Sequence, residues 1–417
     1  MIQLWEAFES SSEVPVTRMM KSWIEQPGYP LITVERRDDQ LSLRQHRFTY
    51  LPNTSGQLWD VPITVRLIDR NGEERIVRHL MAGETADIEL TPGTAAYKIN
   101  ADQTGFYRVQ YLNFEDLETL GERVRNKSLP TEDRWGLQND LYAGVRSGNI
   151  GIDTYLAFLE HYRAEDAFLP LSSIAANLFQ AYSVLTGDSK DRLKSIGRSL
   201  LQGALAAIGL VPQAAEPFTV SLLRDQIMLP AAIFDGQDVI QFAEKQFENL
   251  LSGGTVYPDI LKSTLQIGAL TGGNTALKWL QQRFRTTISE HERLNILAAL
   301  GWFNDKRVIE SALQFALEEV PDRNKFIPIV AATANPHAVD HLWDWYLAHL
   351  PELEVFHPLL YERVIAAIVP TSGIGRSESV GAFFKEYVAD HPQTGDVVRL
   401  AMEHLEINLR MRNRSSR

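Results

Sequence analysis

The chain contains ten histidines and no cysteine, so any reactive or metal-binding centre built from its side chains must rest on histidines and carboxylates. Two segments have a suggestive spacing. His291-Glu292-Arg293-Leu294-Asn295 begins like the H-E-x-x-H helix, in which two imidazoles one turn apart grip zinc and the glutamate activates its water. Asn295 stands where the second imidazole is needed, and Ser289 with Glu292 reads as a capping pair, so a surface helix start is expected here. His337-Ala338-Val339-Asp340-His341 sets two histidines at i, i+4 beside an acid, a spacing that can chelate a metal. No third ligand or catalytic glutamate lies within it; His349 is two turns on and His357 lies beyond Pro351. These histidines are expected to be solvated or at the edge of a core. Trp343, Trp345 and Tyr346 sit at helical spacing among leucines and are expected to be core. The phosphate-binding G-x-x-x-x-G-K-[ST], a strand-linked G-x-G-x-x-G and the G-x-S-x-G nucleophile turn do not occur, and the Gly373/Gly375 segment is a flexible connection.

The elements that would position these residues fall into three zones. Residues 1–30 have apolar Val16, Met19, Met20 and Trp23 at helical spacing and stop at Pro27-Gly28. Residues 31–112 hold seven short alternating segments separated by turn residues, with Asn71-Gly72 a hairpin signal, which predicts a small β-sandwich ending in GFYRVQY, Gly105 to Tyr111. Residues 113–417 are helical throughout, in segments of about 10–16 residues with short polar connections. The expected fold is multidomain and mainly α, a seven-strand β-sandwich followed by a large α-α superhelix of the HEAT or armadillo type.

Composition limits the partners. Apolar residues make up 44% and charged residues 23%, and no run approaches the ~18 apolar residues of a membrane span. The first residues lack a basic segment of the secretory type, which with the absence of cysteine leads to an expected cytoplasmic location. A net charge of −12 argues against nucleic acid.

Several segments, in order along almost the whole chain, resemble the C-terminal region of M1-family zinc aminopeptidases. Leu4-Trp5, Pro15-Val16, Met20, Trp23 and Gly28-Tyr29-Pro30 are similar to the close of that family's catalytic domain. QHRFTY followed by LWDVPITV, TGFYRVQY, DRWGLQNDLYAGVRSG, and Ala334-Asn335-Pro336 with the helices after it resemble its sandwich and helical domain. The resemblance implies that 1–30 is the tail of a catalytic domain, 31–112 the linking sandwich and 113–417 the helical domain, with Met1 opening an expressed segment or a separate gene. The family's zinc motif, third glutamate ligand, amine-reading segment and transition-state tyrosine have no counterpart here, so no catalytic or metal residue carries over and the chain alone is expected to be inactive, with zinc in the missing catalytic domain. The resemblance further implies peptide substrates, a helical bowl closing the active-site chamber, and a basic residue inside it for the peptide carboxylate. Arg323 and Lys325, at a loop-to-helix junction, are the candidates, against the alternative that both are solvated. Two other readings stand beside it: a free-standing helical scaffold that binds peptides or a partner protein, and an independent hydrolase using His337 and His341. The M1 reading also predicts that the apolar faces of residues 2–24, including Trp5, Phe8, Met19 and Trp23, are not deeply buried within this chain.

Overall fold

In the computed structural model, residues 2–12, 14–53 and 55–415 are described. The chain divides into two compact units, Met1–Ile174 and Ala175–Arg417. The first opens with helices α1 (Ile2–Ser12) and α2 (Val16–Ile24), followed by strands β1 (Pro30–Arg37), β2 (Gln40–Arg47), β3 (Val61–Asp69), β4 (Glu74–Met81), β5 (Thr85–Glu89), β6 (Thr94–Ile99) and β7 (Arg108–Tyr111). The strands form two sheets ordered β5-β2-β1-β7 and β4-β3-β6. Period-two alternation aims Ile32, Val34, Leu41 and Leu43 from one sheet at Val61, Ile63, Val65 and Leu67 from the other, and these form one apolar core. The β3–β4 hairpin turns on Gly72 at φ +85°, while the Asp69 carboxylate accepts from the Asn71 and Glu73 amides.

The last strand is shorter than its alternation predicts. Gly105 to Tyr107 bend away because Asn100, itself left-handed at φ +61°, brackets Gly105: its Oδ1 accepts from the Gly105 amide and its Nδ2 donates to the Gly105 carbonyl. Only Arg108–Tyr111 pair, parallel to β1 in the register Leu31↔Arg108.

Helices α3 (Phe114–Arg125), α4 (Thr131–Ser147) and α5 (Ile152–Leu159) complete this unit, and α6 (Phe168–Val184) runs across the division. Asp133 and Asp140, two turns apart on α4, face the sheets. Asp133 accepts from Arg66 Nε at 3.1 Å and from the Asp102 amide at 2.8 Å, and lies 3.4 Å from Lys98 Nζ. Asp140 accepts from Arg108 Nη1 and from the Val109 amide, each at 3.1 Å. Each carboxylate therefore ties α4 to a different sheet. Arg134, between them, points the other way and forks onto Glu165 at 2.7 and 2.9 Å.

No described residue of α2 is buried. Phe8 is 53% exposed, Trp5 and Met19 are half-buried, and Trp23 reaches the sandwich core and donates to the Asp60 carbonyl.

The second unit holds α7 (Gly187–Ile208), α8 (Phe218–Ile233), α9 (Gln237–Leu251), α10 (Pro258–Thr286), α11 (Glu290–Ala299), α12 (Lys306–Glu319), α13 (Phe326–Ala332), α14 (Val339–Ala348), α15 (Leu350–Glu354), α16 (Pro358–Ser372), α17 (Ser377–Asp390) and α18 (Gly395–Ser415). Each packs mainly on near neighbours in sequence, α7 on α8, α8 and α9 on α10, α10 on α11, α13 and α14 on α16, α16 on α18, the organisation of a helical stack. α10 is two helices joined at Gly273, whose φ +51° and ψ −138° no helix accommodates. Arg224, fully buried, is matched by the Glu216 carboxylate at 2.6 and 2.7 Å, and these bonds pull that carboxyl down to about 2.

Candidate functional site

A cleft of about 740 Å³ in the second unit runs between α10, α12 and α14. Helical spacing explains its walls. Arg307, Glu310, Gln314 and Glu318 recur along one face of α12; His341, Asp344, Trp345 and Ala348 do so on α14. α12 begins with Lys306-Arg307 and ends with Glu318-Glu319, about 18 Å of helix later. This order opposes the helix dipole, which favours acids at the start and bases at the end. The cleft therefore has a basic end and an acidic end over an aromatic floor. Arg285 forks onto Glu319 with two bonds of 2.6 Å and lies 5.3 Å over the Phe315 ring. Those bonds hold Glu319 below the usual carboxylate range. Trp345 and His349 stack at 4.7 Å, and His349 Nδ1 donates to the Trp345 carbonyl at 2.9 Å, which leaves Nε2 of the neutral ring as an acceptor. The Ser311 hydroxyl donates to the Arg307 carbonyl and is not poised as a nucleophile. The arrangement suits non-covalent binding of a ligand that carries both charges and an apolar part.

The sequence candidates are dispersed. Arg323 follows Pro321 in a short 3-10 turn and donates to Glu290 Oε1 at 3.1 Å, its side chain 74% exposed. Lys325 pairs with Asp322 at 2.9 Å. Neither is among the residues lining the cleft. His341 is on α14 but His337 lies in the turn before it, where its amide is held by Asn335 Oδ1, so the two are not one helical turn apart on one helix. Burial, with Lys190 nearby, pushes the His337 imidazole down. The His291 segment is a capped start of α11: Ser289 Oγ accepts from the Glu292 amide, Glu292 forks onto Arg283 at 2.7 and 3.0 Å, and Asn295 Nδ2 lies 3.1 Å from His291 Nε2. Among the described residues no three histidines or acids converge as a metal site. Trp343 and Tyr346 are core, as their spacing predicts, whereas Trp345 also lines the cleft.

Residues 96–407 match the family described as ERAP1-like C-terminal domain. The chain belongs to that family. Its resemblance to the C-terminal region of M1-family aminopeptidases extends over almost its whole length. It is 26% identical to a leucyl aminopeptidase of Saccharolobus solfataricus over 91% of this chain and 46% of that protein. It is 28% identical to the tricorn protease-interacting factor F2 of Thermoplasma acidophilum over 90% and 45%, and 24% identical to aminopeptidase M1 of Arabidopsis thaliana over 97% and 48%. The chain thus spans about half the length of the relatives it matches. Among the described residues no helix is long and apolar enough to cross a membrane.

Membership gives a structural sense to the quoted motifs. In DRWGLQND, the two acids are the α4 clamps and the arginine is the partner of Glu165. In Ala334-Asn335-Pro336, Asn335 is fully buried and donates to the carbonyls of Gly301 and Phe303 at 2.9 and 2.7 Å. The cleft residues Arg285, Phe315 and Glu319 escaped the sequence reading, and His349 was weighed there only as a distant metal ligand. The only local signal was the reversed charge order along α12.

Proposed function

We propose that this chain is the non-catalytic C-terminal portion of an M1-type zinc aminopeptidase, an enzyme that removes N-terminal residues from peptides, with zinc held by a catalytic domain in the remainder of the protein. The observation that carries this reading is the match itself: nine-tenths or more of this chain aligns with less than half of each of these relatives, two of them named aminopeptidases. The helical region walls the active-site chamber in this proposal and helps select peptides. The cleft between α10, α12 and α14 is the proposed peptide contact, because its two charged ends and aromatic floor complement a zwitterionic chain. Arg323, exposed and held by a single bond to Glu290, is the proposed carboxylate partner; Lys325, tied to Asp322, supports it.

The test uses the 417-residue chain, added zinc, a panel of aminoacyl fluorogenic substrates and labelled short peptides. The expected result is no hydrolysis, with peptide binding weakened by Arg285→Ala and Arg323→Ala. Metal-dependent turnover abolished by His337→Ala or His341→Ala would overturn the proposal and establish an independent hydrolase. Tight, saturable binding of one folded partner protein, with no affinity for peptides, would favour a scaffold.

A further inference from the structure

Where α15 and α17 end, a cavity of about 170 Å³ is lined by Glu354, Phe356, Tyr361, Glu362, Tyr387 and His391 together with Pro358, Gln393 and Thr394. Its wall includes two carboxylates and no lysine or arginine. Three tyrosine hydroxyls run into it in series. Tyr361 has one proton and donates it to Tyr387 at 3.0 Å, so the 2.7 Å contact between Tyr346 and Tyr361 is donated by Tyr346. The series ends at Tyr387, which shares the cavity wall with Glu354.

His391 adds a second acceptor. Its Nδ1 lies 3.1 Å from the Tyr387 carbonyl, which can only accept, so Nδ1 carries the proton and Nε2 of the neutral ring presents a lone pair. Stacking on Tyr387, with ring centroids 4.2 Å apart and planes at 16°, fixes the ring. Nε2 then faces Glu354 Oε1 across 3.8 Å, one acceptor against another. The cavity also meets the C-terminal end of α17, the negative end of a fourteen-residue helix with no base in its last turn.

We propose that this cavity binds a primary alkylammonium group, the end of a lysine side chain or of a free polyamine, with the nitrogen between Glu354 and His391. One ammonium nitrogen about 2.8 Å from each acceptor spans their separation and donates to both. Phe356 and Tyr361 line the space with apolar ring surface that suits the alkyl stem. A guanidinium fits less well, because its fork wants both oxygens of one carboxylate, whereas the facing acceptors here are one carboxylate oxygen and one imidazole nitrogen.

The experiment titrates n-butylammonium into the intact chain at about pH 8 and follows the His391 ring by proton NMR, its signal assigned by its loss in His391→Asn. A saturable shift is expected with n-butylammonium and none with n-butanol. Glu354→Gln, at a partly exposed position and checked for folding by its melting temperature, should weaken the apparent affinity about tenfold or more. Glu362→Gln should weaken it less. Spermidine and an acetylated Gly-Lys-Gly amide distinguish the sources: whichever binds more tightly than n-butylammonium is the physiological class, with a norleucine peptide as the neutral control. Equal shifts with butanol and butylammonium, or undiminished binding in Glu354→Gln, would overturn the proposal.

Discussion

Asp140 and Asp133 show how two residues of one type on one helix face acquire different behaviour. Burial pushes the Asp140 carboxyl up to about 6, with Arg108 and Lys98 pulling it back. Its unfolded value is near 3.9, so the folded chain holds this proton more tightly and the stability that Asp140 contributes rises as the pH falls from about 7 to about 5. Asp140→Asn removes that dependence. The stability gap between wild type and variant, measured by urea unfolding, should widen by about 1 kcal/mol over that interval; parallel profiles would show that Asp140 does not titrate there. Asp133 has a different task. It lies between the buried cations Arg66 and Lys98, so Asp133→Ala takes the carboxylate they share from both and should cost about 3–5 kcal/mol. A loss under about 1 kcal/mol would mean that Glu74 and Asp102 satisfy Arg66 without it.

At the scale of elements, what could be read in advance was what is local. The β3–β4 hairpin was legible because Asn71-Gly72 supplies its own turn geometry, and the capped start of α11 because Ser289 and Glu292 are three residues apart. The start of β7 was misread because Asn100, five residues before Gly105, competes for its backbone groups. The His337/His341 pair looked like one helical turn because spacing does not reveal that α14 begins only at Val339. The cleft was hidden because its residues come from three helices spread over 69 positions, from Gln281 to His349. The ammonium cavity was hidden for the same reason, since Glu354 and His391 meet only when α15 and α17 do. Asn335 carries a prediction at this scale, as it links the turn before α14 to the turn after α11 through Gly301 and Phe303. Asn335→Ala leaves two carbonyls without donors and should cost about 2–4 kcal/mol. Asn335→Asp should cost more, because a carboxylate would face those carbonyls with no proton to give. Equal losses in urea unfolding would show that volume rather than donation matters.

For the molecule as a whole, the open question is what covers its first helix. α2 is tied down: Arg18 meets Asp60 at 2.6 Å, Trp23 Nε1 donates to the Asp60 carbonyl, and Gln26 donates to the Leu58 carbonyl. α1 packs on α2 yet leaves Leu4 56% and Phe8 53% exposed. Side chains already in water contribute little to stability, so Leu4→Gln with Phe8→Gln should change the unfolding free energy of the 417-residue chain by less than about 0.5 kcal/mol. The same pair should lower binding of the apolar dye ANS, which reports exposed hydrophobic surface. In the proposed aminopeptidase, this face is covered by the preceding part of the protein, where each buried side chain of this size contributes about 1.5–3 kcal/mol. The two substitutions should then destabilise a polypeptide that includes the catalytic domain while sparing the shorter chain. A loss of more than about 1.5 kcal/mol in the 417-residue chain would show that α1 buries these residues against its own chain, and α1 would then give no support to a covering partner.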